Sequence, residues 1–95
     1  MLSEAIRLDP TLVDAYSNLG IVLAMQGKMD EARYYFTEGI RLNPNQASTH
    51  YNLGLVLAAE GNLQEAISQY KEALRLNPGY ADARTALSKA EQASR

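Results

Sequence analysis

Cysteine and tryptophan are absent from the sequence, and histidine occurs once. Without cysteine there is no disulfide and no thiolate metal site, and one histidine cannot assemble a zinc set with partners of its own kind. No metal and no cofactor are expected. The lack of disulfide chemistry suits a reducing compartment, so a cytoplasmic setting is the expectation. Long apolar runs are missing too: nothing approaches the ~18 residues of a membrane-spanning helix, and no membrane partner is expected. The opening residues do not show the basic-then-apolar layout of a secretory leader. Basic clusters are also lacking. Nine Lys and Arg are scattered singly against eleven Asp and Glu, for a net charge of -2 and a pI of about 5.3. Nucleic acid calls for a concentrated basic surface, so no nucleic-acid partner is expected.

What the chain does have is 95 residues, 46% of them hydrophobic. That is enough for one small packed domain and too many for disorder. It also has a repeat. Shifted by 34 residues, the chain matches itself at 14 positions between residues 11–44 and 45–78. Asn18-Leu19-Gly20 returns as Asn52-Leu53-Gly54, Val22-Leu23-Ala24 as Val56-Leu57-Ala58, and Gly27 as Gly61. Glu31-Ala32, Glu38 and Arg41-Leu42-Asn43-Pro44 return as Glu65-Ala66, Glu72 and Arg75-Leu76-Asn77-Pro78. The opening "EAIRLDP" at 4–10 parallels "EGIRLNP" at 38–44 and "EALRLNP" at 72–78. A helix this short is unstable alone, because nucleation costs more than one turn returns. The opening stretch therefore reads as the end of a preceding repeat.

The spacing within each repeat is helical. Tyr16, Leu19, Gly20 and Leu23 fall at i, i+3, i+4 and i+7, one face of a helix; Leu63, Ala66, Ile67, Tyr70, Ala73 and Leu74 do the same further on. Gly20, Gly54 and Gly39 are small where helices would touch. A glycine inside a helix costs roughly 1 kcal/mol against alanine, so each implies close backbone approach. Gly27 and Gly61 stand where a helix ends in a left-handed residue. Asn62 with Glu65 has the spacing of a capping box, whereas Lys28, its equivalent, is a poor cap. Pro10, Pro44 and Pro78 close the second helices, and Thr11, Asn45 and Gly79 are the expected N-caps of the helices that follow. Residues 80–93 form a further helix with an apolar stripe of Ala83, Ala86, Leu87 and Ala90, and a wet face of Asp82, Arg84, Lys89 and Glu91.

Fixed periods of this length mark stacked architectures, and these residues resemble the tetratricopeptide repeat. The family places a bulky residue and then Leu-Gly in its first helix, met here by Tyr16, Leu19 and Gly20 and again by His50, Leu53 and Gly54. Its second helix carries a small residue, an aromatic, another small residue and a closing proline. Ala32, Phe36, Gly39 and Pro44, then Ala66, Tyr70, Ala73 and Pro78, supply them. Leu23 and Leu57 replace the family's usual Tyr, and His50 its usual Trp or Tyr; these are packing variations. The resemblance implies an all-α fold, a right-handed α-solenoid of antiparallel helix pairs. Its parts are the end of a preceding repeat at 1–10, full repeats at 11–44 and 45–78, and a capping helix at 79–95.

No catalytic constellation can be assembled. His50 lies on the packing face and reads as a buried packing residue. Glu4, Glu38 and Glu72 recur at one place in successive repeats and read as solvated helix charges. Phe36 is core, and Tyr34 and Tyr35 read as cover for neighbouring helices rather than as a platform for bases. The chain is expected not to be an enzyme.

The remaining surface is a groove, which in this family is lined by the first helices of successive repeats. The resemblance places Asp14, Ser17, Asn18, Ile21 and Met25 there from one helix, and Ser48, Tyr51, Asn52, Leu55 and Ala59 from the next. Asp82, Thr85 and Lys89 belong to it on the terminal helix. Apolar residues among Ser, Asn and Asp suit a peptide: pockets for its side chains and amides for its backbone. Asn18 and Asn52 resemble the asparagine ladder of O-linked N-acetylglucosamine transferases, which holds extended peptide backbone; the alternative is that asparagine is simply common there in the family. The carboxylate clamp of chaperone-binding members is not expected, since Ser17, Ile21, Asp82 and Ala86 occupy its places and only Asn52 fits.

The expected function is a non-catalytic scaffold that binds a protein or peptide in this groove. The alternatives are a substrate-recruiting segment of a larger enzyme, or a self-assembly element. Leu2 and Ile6 lie on the face of the opening stretch that lacks a partner helix, and they lead to either a monomer or a weak homodimer. Sedimentation of the parent beside Leu2→Glu/Ile6→Glu separates these. A dimer through this face is abolished by the charges, and a parent that stays monomeric at millimolar concentration excludes it.

Overall fold

A computed structural model of the chain describes residues 11–95. They form five helices and, among the described residues, no strand: α1 (Thr11–Met25), α2 (Met29–Leu42), α3 (Ala47–Ala59), α4 (Leu63–Leu76) and α5 (Ala81–Ala93). The fold is all-α, of the helical-repeat class. The expectations for Leu2, Glu4, Ile6 and Pro10 lie outside the described residues. The chain divides into two compact units, Met1–Asn45 and Gln46–Arg95. In the first, α1 packs on α2; in the second, α3 packs on α4, and α5 packs on α4 and α3.

Each first helix meets its second through an aromatic ring laid on a glycine. The Phe36 ring is buried against Gly20, where a Cβ would stand 2.6 Å from Phe36 Cε1. Tyr70 is buried against Gly54 in the same way, with a Cβ only 2.4 Å from Tyr70 Cε1. Ala32, Ala66 and Ala73 have no exposed surface and let the second helices sit close. The turns are equally regular. Gly27 (φ +80°) and Gly61 (φ +85°) are left-handed. In each turn the glycine N–H reaches back three residues, and the next N–H reaches back five: Lys28 to Leu23 O at 2.9 Å and Asn62 to Leu57 O at 2.8 Å. These are Schellman closures.

The helix starts differ from expectation. The N-caps of α3 and α5 are Gln46 and Tyr80, one residue later than Asn45 and Gly79, and neither donates or accepts a capping side-chain bond. The asparagine before each proline takes over the corner: Asn43 Oδ1 accepts from Asn45 N, and Asn77 Oδ1 from Gly79 N, both at 3.2 Å. The capping box at Asn62 does not form either. Its reciprocal arm would need the Asn62 N–H, which already closes α3. With ψ at 67°, the backbone of Asn62 is also outside the extended geometry from which a cap reaches inward.

The packing face of α1 is rotated from the one read in the sequence. Val13, Ser17, Gly20 and Leu23 are the buried residues, at i, i+4, i+7 and i+10, while Leu19 is 41% exposed. Leu53, at the same place in α3, is only 7% exposed, because α3 buries a wider arc that takes in Thr49, His50, Leu53 and Val56. In α5, Ala83 and Ala90 are buried while Asp82, Arg84, Lys89 and Glu91 are exposed, as the two-faced pattern implied.

This difference in burial sets a test. Leu53→Ala is expected to destabilise the chain by ~2–5 kcal/mol through the cavity it leaves. Leu19→Ala, the same substitution at the same repeat position, is expected to cost under about 1 kcal/mol, since much of that side chain is already wet. Chemical denaturation of both variants beside the parent checks the ranking.

Candidate functional site

The groove residues divide by unit. On α1, Asp14, Asn18, Ile21 and Met25 are exposed. Ser17 is not: it is 7% exposed, because it lies one turn beyond Val13 on the buried side. In the second unit, Ser48, Tyr51 and Asn52 are half-buried, and Leu55, Ala59, Asp82, Thr85 and Lys89 are exposed.

Five of those eight come together. Tyr51 and Leu55 of α3, with Asp82, Thr85, Ala86 and Lys89 of α5, line a cleft of about 220 Å³. Ala86 is the member that the sequence reading left out, because it occupies the terminal-helix equivalent of Asn52 and carries no polar group. Ser48, Asn52 and Ala59 do not line the cleft. An apolar trough of about 290 Å³ shares Leu55, Ala86 and Lys89 with it and adds Ala58, Leu63 and Tyr70.

Tyr51 is held in place by other aromatics. Its ring centroid is 5.2 Å from that of Tyr80, just before α5, and 6.1 Å from that of Tyr70 on α4. One tyrosine thus links three segments of the second unit. Burial raises the Tyr51 hydroxyl above its ordinary range, and the Asp82 carboxylate adds to the rise. Tyr80 shifts the same way, first through burial and then through Tyr51 and Asp82. Both remain neutral hydrogen-bond donors at physiological pH.

The first unit carries a different hollow, of about 420 Å³, lined by Leu19, Leu23, Asp30, Glu31, Tyr34 and Tyr35. The sequence reading missed it, having assigned Tyr34 and Tyr35 to neighbouring helices. Tyr35 does stack on Tyr16, with centroids 6.0 Å apart, but Tyr34 meets Tyr35 edge-on and is largely exposed. The signal was present as the polar start Asp30-Glu31 four residues before an aromatic pair. Asp30 is engaged by Arg33 at 3.1 Å.

Three titratable side chains singled out in the sequence are engaged in local bonds. Glu72 accepts two bonds from Arg75, at 2.8 and 2.6 Å, and that guanidinium holds its carboxyl below the usual range. Glu38 is clamped by Arg41 at 3.3 and 3.0 Å. His50 is buried, with Nδ1 donating to Gln69 Oε1 at 2.7 Å, a structural bond between α3 and α4. Among the described residues no three His, Asp or Glu gather as metal ligands, and no helix is long and apolar enough to cross a membrane.

Comparison with known proteins agrees with this architecture. The sequence profile of the tetratricopeptide repeat matches residues 13–46 and 47–80. The solved structure of a point mutant of the Thermobaculum terrenum O-GlcNAc transferase superimposes with a TM-score of 0.81 at 32% identity. The match covers 92% of this chain and 17% of that one. No curated protein sequence matches the chain.

Proposed function

The chain belongs to the tetratricopeptide repeat family, and from that premise we propose that it is a non-catalytic module that holds a peptide of a protein partner against the first helix of its second repeat. Repeats of this family generally mediate protein–protein interaction. The observation that carries the reading here is the cleft between α3 and α5, where Tyr51, Leu55, Asp82, Thr85 and Lys89 converge. Its make-up fits a peptide. Leu55 and Ala86 offer an apolar floor, Tyr51 and Thr85 offer hydroxyls, and Asn52 stands on the neighbouring turn of α3 with an amide that can both donate to and accept from backbone.

A second reading is that this segment recruits substrate for an enzyme to which it is joined. The similar solved chain is a transferase, and the likeness covers 17% of it. Both readings use the same groove and differ only in what is attached to it.

A peptide array probed with the labelled chain tests the groove. Leu55→Ala and Asn52→Ala are expected to weaken captured peptides about fivefold or more, a loss of about 1 kcal/mol each. Glu60→Ala, outside the cleft, is expected to change little. Far-ultraviolet circular dichroism should be the same for all three. Equal losses at Glu60 and Leu55 would place the binding surface elsewhere.

A further inference from the structure

The two charges of the cleft have opposite sign and fixed separation. Asp82 and Lys89 are both exposed, and neither takes part in an ion pair among the described residues. They lie seven residues apart on α5, two turns along one face, or ~10.5 Å along the axis. That is too far for them to neutralise each other directly. Between them the floor is apolar: Leu55, 42% exposed, and Ala86, both shared with the trough beyond Lys89. Tyr51 and Tyr80, at the acidic end, both feel the Asp82 carboxylate.

A ligand lying across this cleft meets a carboxylate, then an apolar floor, then an ammonium. A uniformly acidic segment gains at Lys89 and is repelled at Asp82; a uniformly basic one does the reverse. Side chains of extended chain share a face every second residue, at a rise of ~3.3 Å per residue, so residues four apart stand ~13 Å apart on one face, and long basic and acidic side chains close that span to the distance between the two charges. Resting on the groove reading above, we infer that the cleft selects a charge-paired peptide: a basic and an acidic residue four positions apart, with an apolar side chain midway between them. The basic residue faces Asp82, the apolar one sits on Leu55 and Ala86, and the acidic one faces Lys89. The net charge of -2 would by itself favour any basic peptide, so preference for the mixed one is a property of the cleft and not of the molecule's overall field.

The test is an NMR titration of the isotope-labelled full chain with three synthetic peptides. The first has the core Lys-Ala-Leu-Ala-Glu; in the second, Gln replaces the Lys; in the third, Gln replaces the Glu. The mixed peptide is expected to bind tightest, each neutral replacement to weaken it about two- to fivefold, as for exposed ion pairs, and added salt to erase the difference. The protein variants complete the cycle. Asp82→Asn should cost the same factor with the Lys peptide and nothing further with its Gln form. Lys89→Gln should behave likewise toward Glu. Losses that are equal for charged and neutral peptides, or no binding of the mixed peptide at millimolar concentration, overturn the charge pairing. Leu55→Ala distinguishes the failures. If it abolishes binding while the charge cycles show no coupling, the groove stands and the charge pairing falls. If it leaves binding by every peptide intact, the groove reading falls too.

Discussion

A ring resting on a glycine governs each helix pair. The glycines at 20 and 54 each weaken their helix by about 1 kcal/mol relative to alanine. In return they let Phe36 and Tyr70 approach to where a Cβ would stand at 2.6 and 2.4 Å. Burying a ring of that size removes ~150–250 Å² from water, and at ~25 cal/mol per Å² this outweighs the helix penalty several times over. The contact also fixes the rotation of the first helix against the second, because only the glycine side of α3 can face Tyr70. Tyr51, three residues before Gly54, is thereby set at the edge of the interface, 6.1 Å from the Tyr70 ring and beside Tyr80. The wall of the cleft is a consequence of the packing.

Much of this was legible in the sequence because it depends on local rules repeated at a fixed interval. Gly27 and Gly61 announced left-handed closures, and the Ala-aromatic-small pattern of α2 and α4 announced the buried stripe. What could not be read depends on competition or on surroundings. Asn62 had the spacing of a capping residue, but its N–H was already committed to the preceding turn. Asn45 and Gly79 looked like caps, whereas Asn43 and Asn77 hold those corners. Leu19 and Leu53 have the same neighbours in sequence and differ sixfold in exposure, because α1 buries one arc and α3 a wider one. A repeat pattern reports the face a helix prefers, not how much of its circumference is covered. The expected groove could be written as a set of positions from the family resemblance, and five of them line the cleft of the second unit. The exceptions were not legible: Ser17 turned inward behind Val13, and Ala86 entered the cleft without any polar signature.

The two repeats can be compared with each other to see which positions packing dictates. The identities between them fall on Leu-Gly, Val-Leu-Ala, the turn glycine, Glu-Ala and the closing Arg-Leu-Asn-Pro, which build helix pairs and corners. The groove positions mostly change: Asp14 becomes Ser48, Ser17 becomes Tyr51, Ile21 becomes Leu55 and Met25 becomes Ala59. These positions vary where the helix-pair contacts repeat, and variation is what specificity for different ligand side chains requires. Asn18 and Asn52 break the rule. They are identical, yet Asn18 is exposed and Asn52 half-buried, so core packing does not account for the identity. An amide is suited to the one feature that all peptides share, their backbone N–H and C=O. A recurring amide for the backbone beside varying residues for the side chains is the division of labour that the proposed peptide groove would require.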